Sequence, residues 1–317
     1  MLKQSLPTVS RTYQHHHLDS TRWNAFAPRT GDVVVASSIK SGTTWTQWIA
    51  VKLLLPDQNP KSLLDIAPWL DWRTDPQQDP LQDLIALLEA QPHRRIIKTH
   101  LPLDGLPYFP QVRYIVLGRD GRDIAMSLWN HYGNYSDELL ALLNSHEGVS
   151  FPPRPQTFQK FWADWISKGW FDWEQDGYPF WSHFHFIQSW WEFKHLPNIL
   201  FVHFTDLLAD LTGEIQRIAD HLEVSLSATR RTEIAEEVTF ENMKKDAKKY
   251  APLFEGEFKG GPEAFFHKGS NGRWKDVLTE QEIAQYKYAV ARTLSPECAA
   301  WLEHGKVASH SPSSVLV

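Results

Sequence analysis

The chain has 317 residues, 42% of them hydrophobic and 13% aromatic, enough to build a large buried core. Its net charge of −6 argues against nucleic acid, which asks for a basic face, so any anion site must be a local construction. A single cysteine, Cys298, excludes an intramolecular disulfide.

The opening stretch, MLKQSLPTVSRTYQHHH, has no long apolar run, and patches such as VKLLLP are too short to span a bilayer. A cytoplasmic α/β protein is expected. His15, His16 and His17 read as a solvated N-terminal run rather than a metal site. Val33–Ser37 reads as a buried strand, and Gly42–Leu55 as a helix with Trp45, Trp48, Ile49 and Leu53 on one face. Arg95–Lys98 is a second strand. Arg113–Leu117 is a third, followed by a turn at Asp120-Gly121 and a helix over Asp123–His131. Phe158–Phe193 then holds seven of the fifteen tryptophans. Among them, Trp162, Trp165, Trp170, Trp173 and Trp181 are either core packing or the wall of an acceptor pocket. The surrounding insertion, residues 143–193, is read as the acceptor side. Asn198–Phe204 is a fourth strand, and the helix after it carries Ile215, Ile218, Ala219 and Leu222. The loop Phe254–Lys275 is long enough to be a lid. A last helix holds Ile283, Tyr286 and Val290. Strands alternating with helices imply a mostly parallel sheet covered on both faces, and the lack of repeats or linkers implies one domain over 1–317.

Four segments carry chemistry. The first, VVVASSIKSGTTW, sets a loop between strand and helix. The common phosphate loop reads G-x-x-x-x-G-K-[ST]. Here Ser37 takes its first Gly, Gly42 its second and Thr43 its Lys, while Lys40 lies inside the loop. Ser37, Ser38, Ser41, Gly42, Thr43 and Thr44 are small enough to let N–H groups and hydroxyls close on an anion at the positive end of the helix. A βα turn with ordinary Ser/Thr caps is the plainer alternative. The second, RRIIKTHLPLDGLP, places His100 at the carboxyl end of a strand, where open α/β sheets bind ligands; a surface histidine is its alternative. The third, VRYIVLGRDGRDIAMS, ends a strand at Arg119 and sets Ser127 on the next helix. These two can share one phosphate, unless Arg119 only pairs with Asp120 or Asp123. The fourth, FFHKGSNGRWKDVLT, offers Lys268-Gly269 and Asn271-Gly272 to a phosphate or to a solvated turn, with Trp274 as a packing anchor.

Together, SIKSGTTW, KTHLP, RDGRDIAMS and HKGSNGRWKDVLT resemble the cytosolic-type sulfotransferase family, whose versions read close to YPKSGTTW, KTHLP, R-x-x-x-D-x-x-x-S and RKGxxGDWKxxFT. The resemblance runs over residues 30–280 and is nearest to bacterial members, some described as glycolipid or aryl-alcohol sulfotransferases. It implies a P-loop-like sulfotransferase fold, 3′-phosphoadenosine 5′-phosphosulfate (PAPS) as co-substrate, 3′,5′-diphosphoadenosine (PAP) as product, and no metal. The acceptor it implies is a hydroxyl on a small molecule or glycolipid.

The resemblance also implies roles. Lys40 stabilises the leaving phosphate, His100 is the general base and Lys98 neutralises the sulfuryl oxygens. Lys40, Ser41, Gly42, Thr43 and Thr44 hold the 5′-phosphate. Trp45 and Phe240 flank the adenine, and Phe204 takes a family tyrosine position beside the nucleotide. Arg119, Ser127, Lys268 and Gly269 hold the 3′-phosphate. Departures are His267 for a family Arg, Arg273 for a family Asp, and Ser38-Ile39 for Tyr-Pro. KDVLTEQE matches the animal dimer segment only loosely, so a homodimer stays open and unsupported. Two rivals rank lower. A P-loop kinase acting on a small alcohol would need lysine where Thr43 stands. An inactive nucleotide-binding module would not need both Lys40 and His100.

Overall fold

The run Val33-Val34-Val35-Ala36 is fully buried, and its alternation divides between two apolar clusters. The structure is a computed structural model that describes residues 5–58, 60–73, 81–145, 149–252 and 255–306. Phe254, where the expected lid begins, lies outside them. In strand β1 (Val33–Ser37), Val33 and Val35 face a cluster shared with helix α1 (Thr43–Leu54) and the helices Leu211–His221 and Ala228–Glu237. Val34 and Ala36 face the other cluster, built on the helices Gly121–Gly133, Phe158–Ser167, His183–Trp191 and Glu280–Thr293. A strand covered on both faces has no use for polar alternation, which accounts for the unbroken apolar run.

Strands β2 (Ile96–Thr99), β3 (Arg113–Gly118) and β4 (Ile199–His203) complete a four-stranded, wholly parallel sheet in the order β2-β1-β3-β4. Val33 pairs with both Ile96 and Arg113, and Tyr114 with Ile199, so all four carboxyl ends share one edge. The residues that leave those ends are Ser38, His100, Arg119 and Phe204. At the opposite edge Arg95 forks onto Asp32, Nε to Oδ1 at 3.0 Å and Nη2 to Oδ2 at 2.5 Å, joining the entries of β1 and β2.

The expected α/β architecture is present, with shifted boundaries. The helix after β3 begins at Gly121, because the Asp120 carboxylate caps it by accepting from the Arg122 N–H. The fourth strand ends at His203, because Phe204 already opens the helix Phe204–Ala209. Glu280–Thr293 is not the last helix; Pro296–His304 follows, capped by Ser295. Among the described residues no helix is long and apolar enough to cross a membrane.

The histidine run departs most from expectation. His15, His16 and His17 are 0%, 0% and 2% exposed, not solvated. They lie under the aromatic insertion, His15 stacked on Trp181 and His16 edge-on to Phe151 and Trp170. The insertion's tryptophans resolve mostly as packing: Trp162, Trp165 and Trp181 are buried, and Trp170 and Trp173 half-buried.

Candidate active site

The loop after β1 is held from beneath by its own hydroxyls. Ser37 Oγ meets Thr43 Oγ1 at 2.6 Å, and Ser38 Oγ meets Ser41 Oγ at 2.9 Å and His183 Nδ1 at 2.7 Å. His183 Nε2 lies 3.0 Å from the Arg119 carbonyl, which can only accept, so Nδ1 accepts from Ser38. Lys40 sits in left-handed backbone space at φ 67°, a costly place for a side-chain-bearing residue. Its carbonyl is gripped there by Arg119 Nη1 at 3.1 Å. Gly42, at φ 102°, opens α1 with no side-chain cap, leaving the first-turn N–H groups available to an anion.

At this edge of the sheet opens a cavity of about 730 Å³, a size typical of small-molecule sites. Its wall includes Lys40, Gly42, Thr43, Thr44, Trp45, Lys98, His100, Arg119, Ser127, Phe204, Phe240, His267, Lys268 and Gly269. Ser41 is the predicted residue that does not reach it; fully buried, it spends its hydroxyl on loop shape. The tryptophans on the wall are Trp45, Trp69 and Trp72, none from the insertion.

His100 is fixed from several sides. Its Nδ1 donates to the Ser37 carbonyl at 2.6 Å, and its N–H donates to the buried Asp71 carboxylate at 3.1 Å. Trp69 meets the ring edge-on at 4.7 Å. With the proton on Nδ1, a neutral His100 carries its lone pair on Nε2. Burial, then the nearby Lys98 charge, hold its pKa well below 6.5, so the neutral form prevails.

The lysines feel the same environment. Lys40 Nζ lies 3.5 Å from His131 Nδ1 and 4.4 Å from the Phe265 ring centroid. Burial first, then Arg119 and Lys98, push its pKa down to about 7. Lys98 Nζ lies 3.9 Å over Trp69, and burial, against the pull of Asp71 and Glu257, brings it to about 8. Glu257 shares the cavity and is pushed up to about 7 by burial, with Lys98 opposing.

Arg119 ties the loop after β1 to the segment around Ser270 and Asn271. Besides Lys40 O, it donates from Nε to Asn271 Oδ1 and from Nη2 to Ser270 O, both at 3.0 Å. It forms no ion pair with Asp120 or Asp123. Asp120 pairs with Arg122, and Asp123 accepts from the backbone N–H of Gly272 at 2.9 Å and of Arg273 at 3.3 Å. A guanidinium has five N–H donors, so these three contacts leave two. Gly269, at φ 64°, lies so close to Phe240 that a Cβ would stand 2.4 Å from the ring. Trp274 is the expected anchor, with Arg122 at 3.8 Å over its ring.

Sequence reasoning missed Asp71, His131, His183 and Glu257, and weighed Asp123 only as an ion-pair partner of Arg119. His131 sits one helical turn beyond Ser127, a spacing that points to the same face; the others give no local signal.

Residues 30–295 match the sulfotransferase domain family. The chain is 31% identical over 316 residues to a glycolipid sulfotransferase of Mycobacterium bovis, covering 93% of this chain and 94% of that one. Retinol dehydratase in complex with androsterone and the inactive cofactor PAP superposes with a TM-score of 0.64 at 27% identity, over 87% of this chain and 84% of that one. Mouse sulfotransferase SULT7A1 complexed with PAP superposes at 0.66 over 88% of this chain and 91% of that one; its 20% identity speaks to the fold alone. The uncapped loop after β1, the cavity lined by Lys40, Lys98 and Arg119, and these likenesses agree, and the chain belongs to the sulfotransferase domain family.

Proposed function

We propose that this protein moves the sulfuryl group of PAPS to a hydroxyl of a small-molecule or glycolipid acceptor, and that the cavity residues act as follows. The acceptor oxygen forms a bond to sulfur while the bond from sulfur to the bridging oxygen of the 5′-phosphate breaks. The acceptor proton passes to His100 Nε2. Negative charge grows on the leaving phosphate oxygen, where Lys40 and the first-turn N–H groups of α1 stabilise it. Lys98 faces the sulfuryl oxygens. Arg119, Ser127, Lys268 and Gly269 hold the 3′-phosphate, and Trp45, Phe204 and Phe240 enclose the base. Such a reaction asks the protein mainly for positioning and charge stabilisation.

The observation that carries this reading is the locked imidazole. His100 is neutral, its Nδ1 proton is committed to Ser37 O, and it shares one cavity with Lys40 and Lys98. A site for binding alone has no use for a tautomer fixed this way. The glycolipid acceptor of the mycobacterial relative supports a lipid-like substrate. The test is calorimetry with PAP against ADP–Mg²⁺, followed by transfer from PAPS to alkyl glycosides and phenols. Tighter binding of PAP and sulfated product are expected; preference for ADP–Mg²⁺ would overturn the reading.

A further inference from the structure

The three buried histidines bring nitrogens within 4.8 Å of one another, as a metal site would. Their hydrogen bonds describe something else. His15 Nδ1 accepts from the backbone N–H groups of His17 and Leu18, at 2.9 and 3.3 Å. His16 Nε2 lies 2.8 Å from the Pro179 carbonyl. A carbonyl has no proton to give, so Nε2 of His16 donates, and a neutral His16 has only a lone pair on Nδ1. That lone pair faces His17 Nδ1 in a short contact. Two lone pairs repel at such a distance, so His17 Nδ1 carries the proton and His17 Nε2 is bare. Its partner, the Tyr135 hydroxyl at 3.2 Å, must therefore donate. With His16 neutral, the direction of each proton from His16 to Tyr135 follows from the Pro179 carbonyl.

Both His17 and Tyr135 line the cavity beside His100. His17 stays neutral, because burial and its imidazole neighbours depress its pKa. Tyr135 stays protonated, because burial and Glu257 raise its pKa.

We propose that Tyr135 is an acceptor-positioning residue: its proton is committed to His17, so its oxygen presents only lone pairs and selects acceptors with a second hydroxyl beside the one that is sulfated. This rests on the sulfotransferase reading above. It narrows the acceptor to polyhydroxylated molecules such as sugars, whose spare O–H can donate to Tyr135.

The test uses the PAP-loaded protein, so that it does not depend on turnover. Octyl β-glucoside and 1-octanol are titrated into wild type and Tyr135→Phe. The variant should weaken octyl glucoside about tenfold more than octanol, the worth of one hydrogen bond. With PAPS, the same difference should fall in KM rather than kcat. Equal effects on both alcohols, or no binding of the glucoside to wild type, overturn the proposal. Nitrogen-resolved NMR reads the chain directly: His16 should be protonated at Nε2 and His17 at Nδ1. A proton on His17 Nε2 overturns the proposal whatever the alcohols do. If the glucoside binds and the tautomers agree but PAPS yields no product, the sulfotransferase reading fails instead.

Discussion

Binding of PAP should take up protons, and the amount is calculable from the two cavity lysines. Lys40 is held at about 7 and Lys98 at about 8 without ligand, in both cases chiefly by burial. A polyanion placed against them reverses that penalty and draws both to the charged form. At pH 8 the free protein holds Lys40 about nine-tenths neutral and Lys98 about half neutral, so the two lysines should absorb about 1.4 protons; at pH 7 their share is about 0.6, and Glu257, held at about 7 in the same cavity, adds to both. Since the bound state holds more protons, affinity must fall as pH rises, by about tenfold between pH 7 and pH 8 from the lysines alone. Phosphate groups, with a second pKa near 6, are already deprotonated at pH 8 and do not cancel the uptake. The assay is calorimetry at pH 8 in buffers of differing ionisation heat, with the slope of observed against buffer enthalpy giving the proton count. Lys40→Met should lower that count by about 0.9 and leave the share of Lys98. A slope of zero, or affinity rising with pH, would refute the assignment of these lysines to the phosphosulfate.

Other expectations rest on single contacts. Lys40→Met should cut kcat about 10²- to 10³-fold in a PAPS transfer assay, as losing a charge-stabilising donor does, with PAP still bound. His100→Gln should lose about 10²- to 10⁴-fold, more for aliphatic alcohols than for acidic phenols, because the latter need no base; equal losses across a series of acceptor acidities would exclude general-base catalysis. Gly269→Ala puts a methyl 2.4 Å from Phe240 and a Cβ on a left-handed backbone, so PAP affinity should drop while thermal unfolding, followed by circular dichroism, barely moves. Arg95→Met strands Asp32, which is 1% exposed, and should cost about 3–5 kcal/mol in urea unfolding without altering the cavity.

The sheet was legible because its signal is local. Val33–Ala36 and Tyr114–Leu117 are apolar on both faces, and the loops after them announce the phosphate chemistry. What stayed hidden is set by partners far along the chain. Ser38 meets His183, 145 positions away, and His16 meets Pro179, 163 positions away. A histidine run looks solvated until something is known to cover it. Here that cover is the insertion whose tryptophans read either as core packing or as an acceptor wall. They bury the imidazoles, while Trp69 and Trp72, outside the insertion, face the cavity. Asp71 and Asp123 resemble any loop or helix-start acid in sequence, yet one fixes the His100 backbone and the other the backbone at Gly272 and Arg273.

The segment from His267 to Arg273 gives the two departures from the family pattern a common reading. His267 stands where the family has an arginine, and its pKa is pushed below 6.5 by burial, then by Arg273 and Lys268, so it brings no charge at neutral pH. Its Nδ1 is buried without a partner. Arg273 stands where the family has an aspartate, and it lines the cavity with its backbone N–H held by Asp123. Its charge reaches Arg119, whose pKa it helps lower to about 10 after the larger effect of burial. We propose that Arg273 supplies the positive charge that His267 does not. Arg273→Ala should therefore weaken PAP about 10- to 100-fold, the range of a hydrogen bond to a charged group, and barely weaken adenosine 5′-monophosphate, which lacks the 3′-phosphate. Parallel calorimetric titrations with the two nucleotides decide it. Equal weakening of both would mean that Arg273 only shapes this segment, and no weakening of either would leave the lost charge at His267 without a replacement.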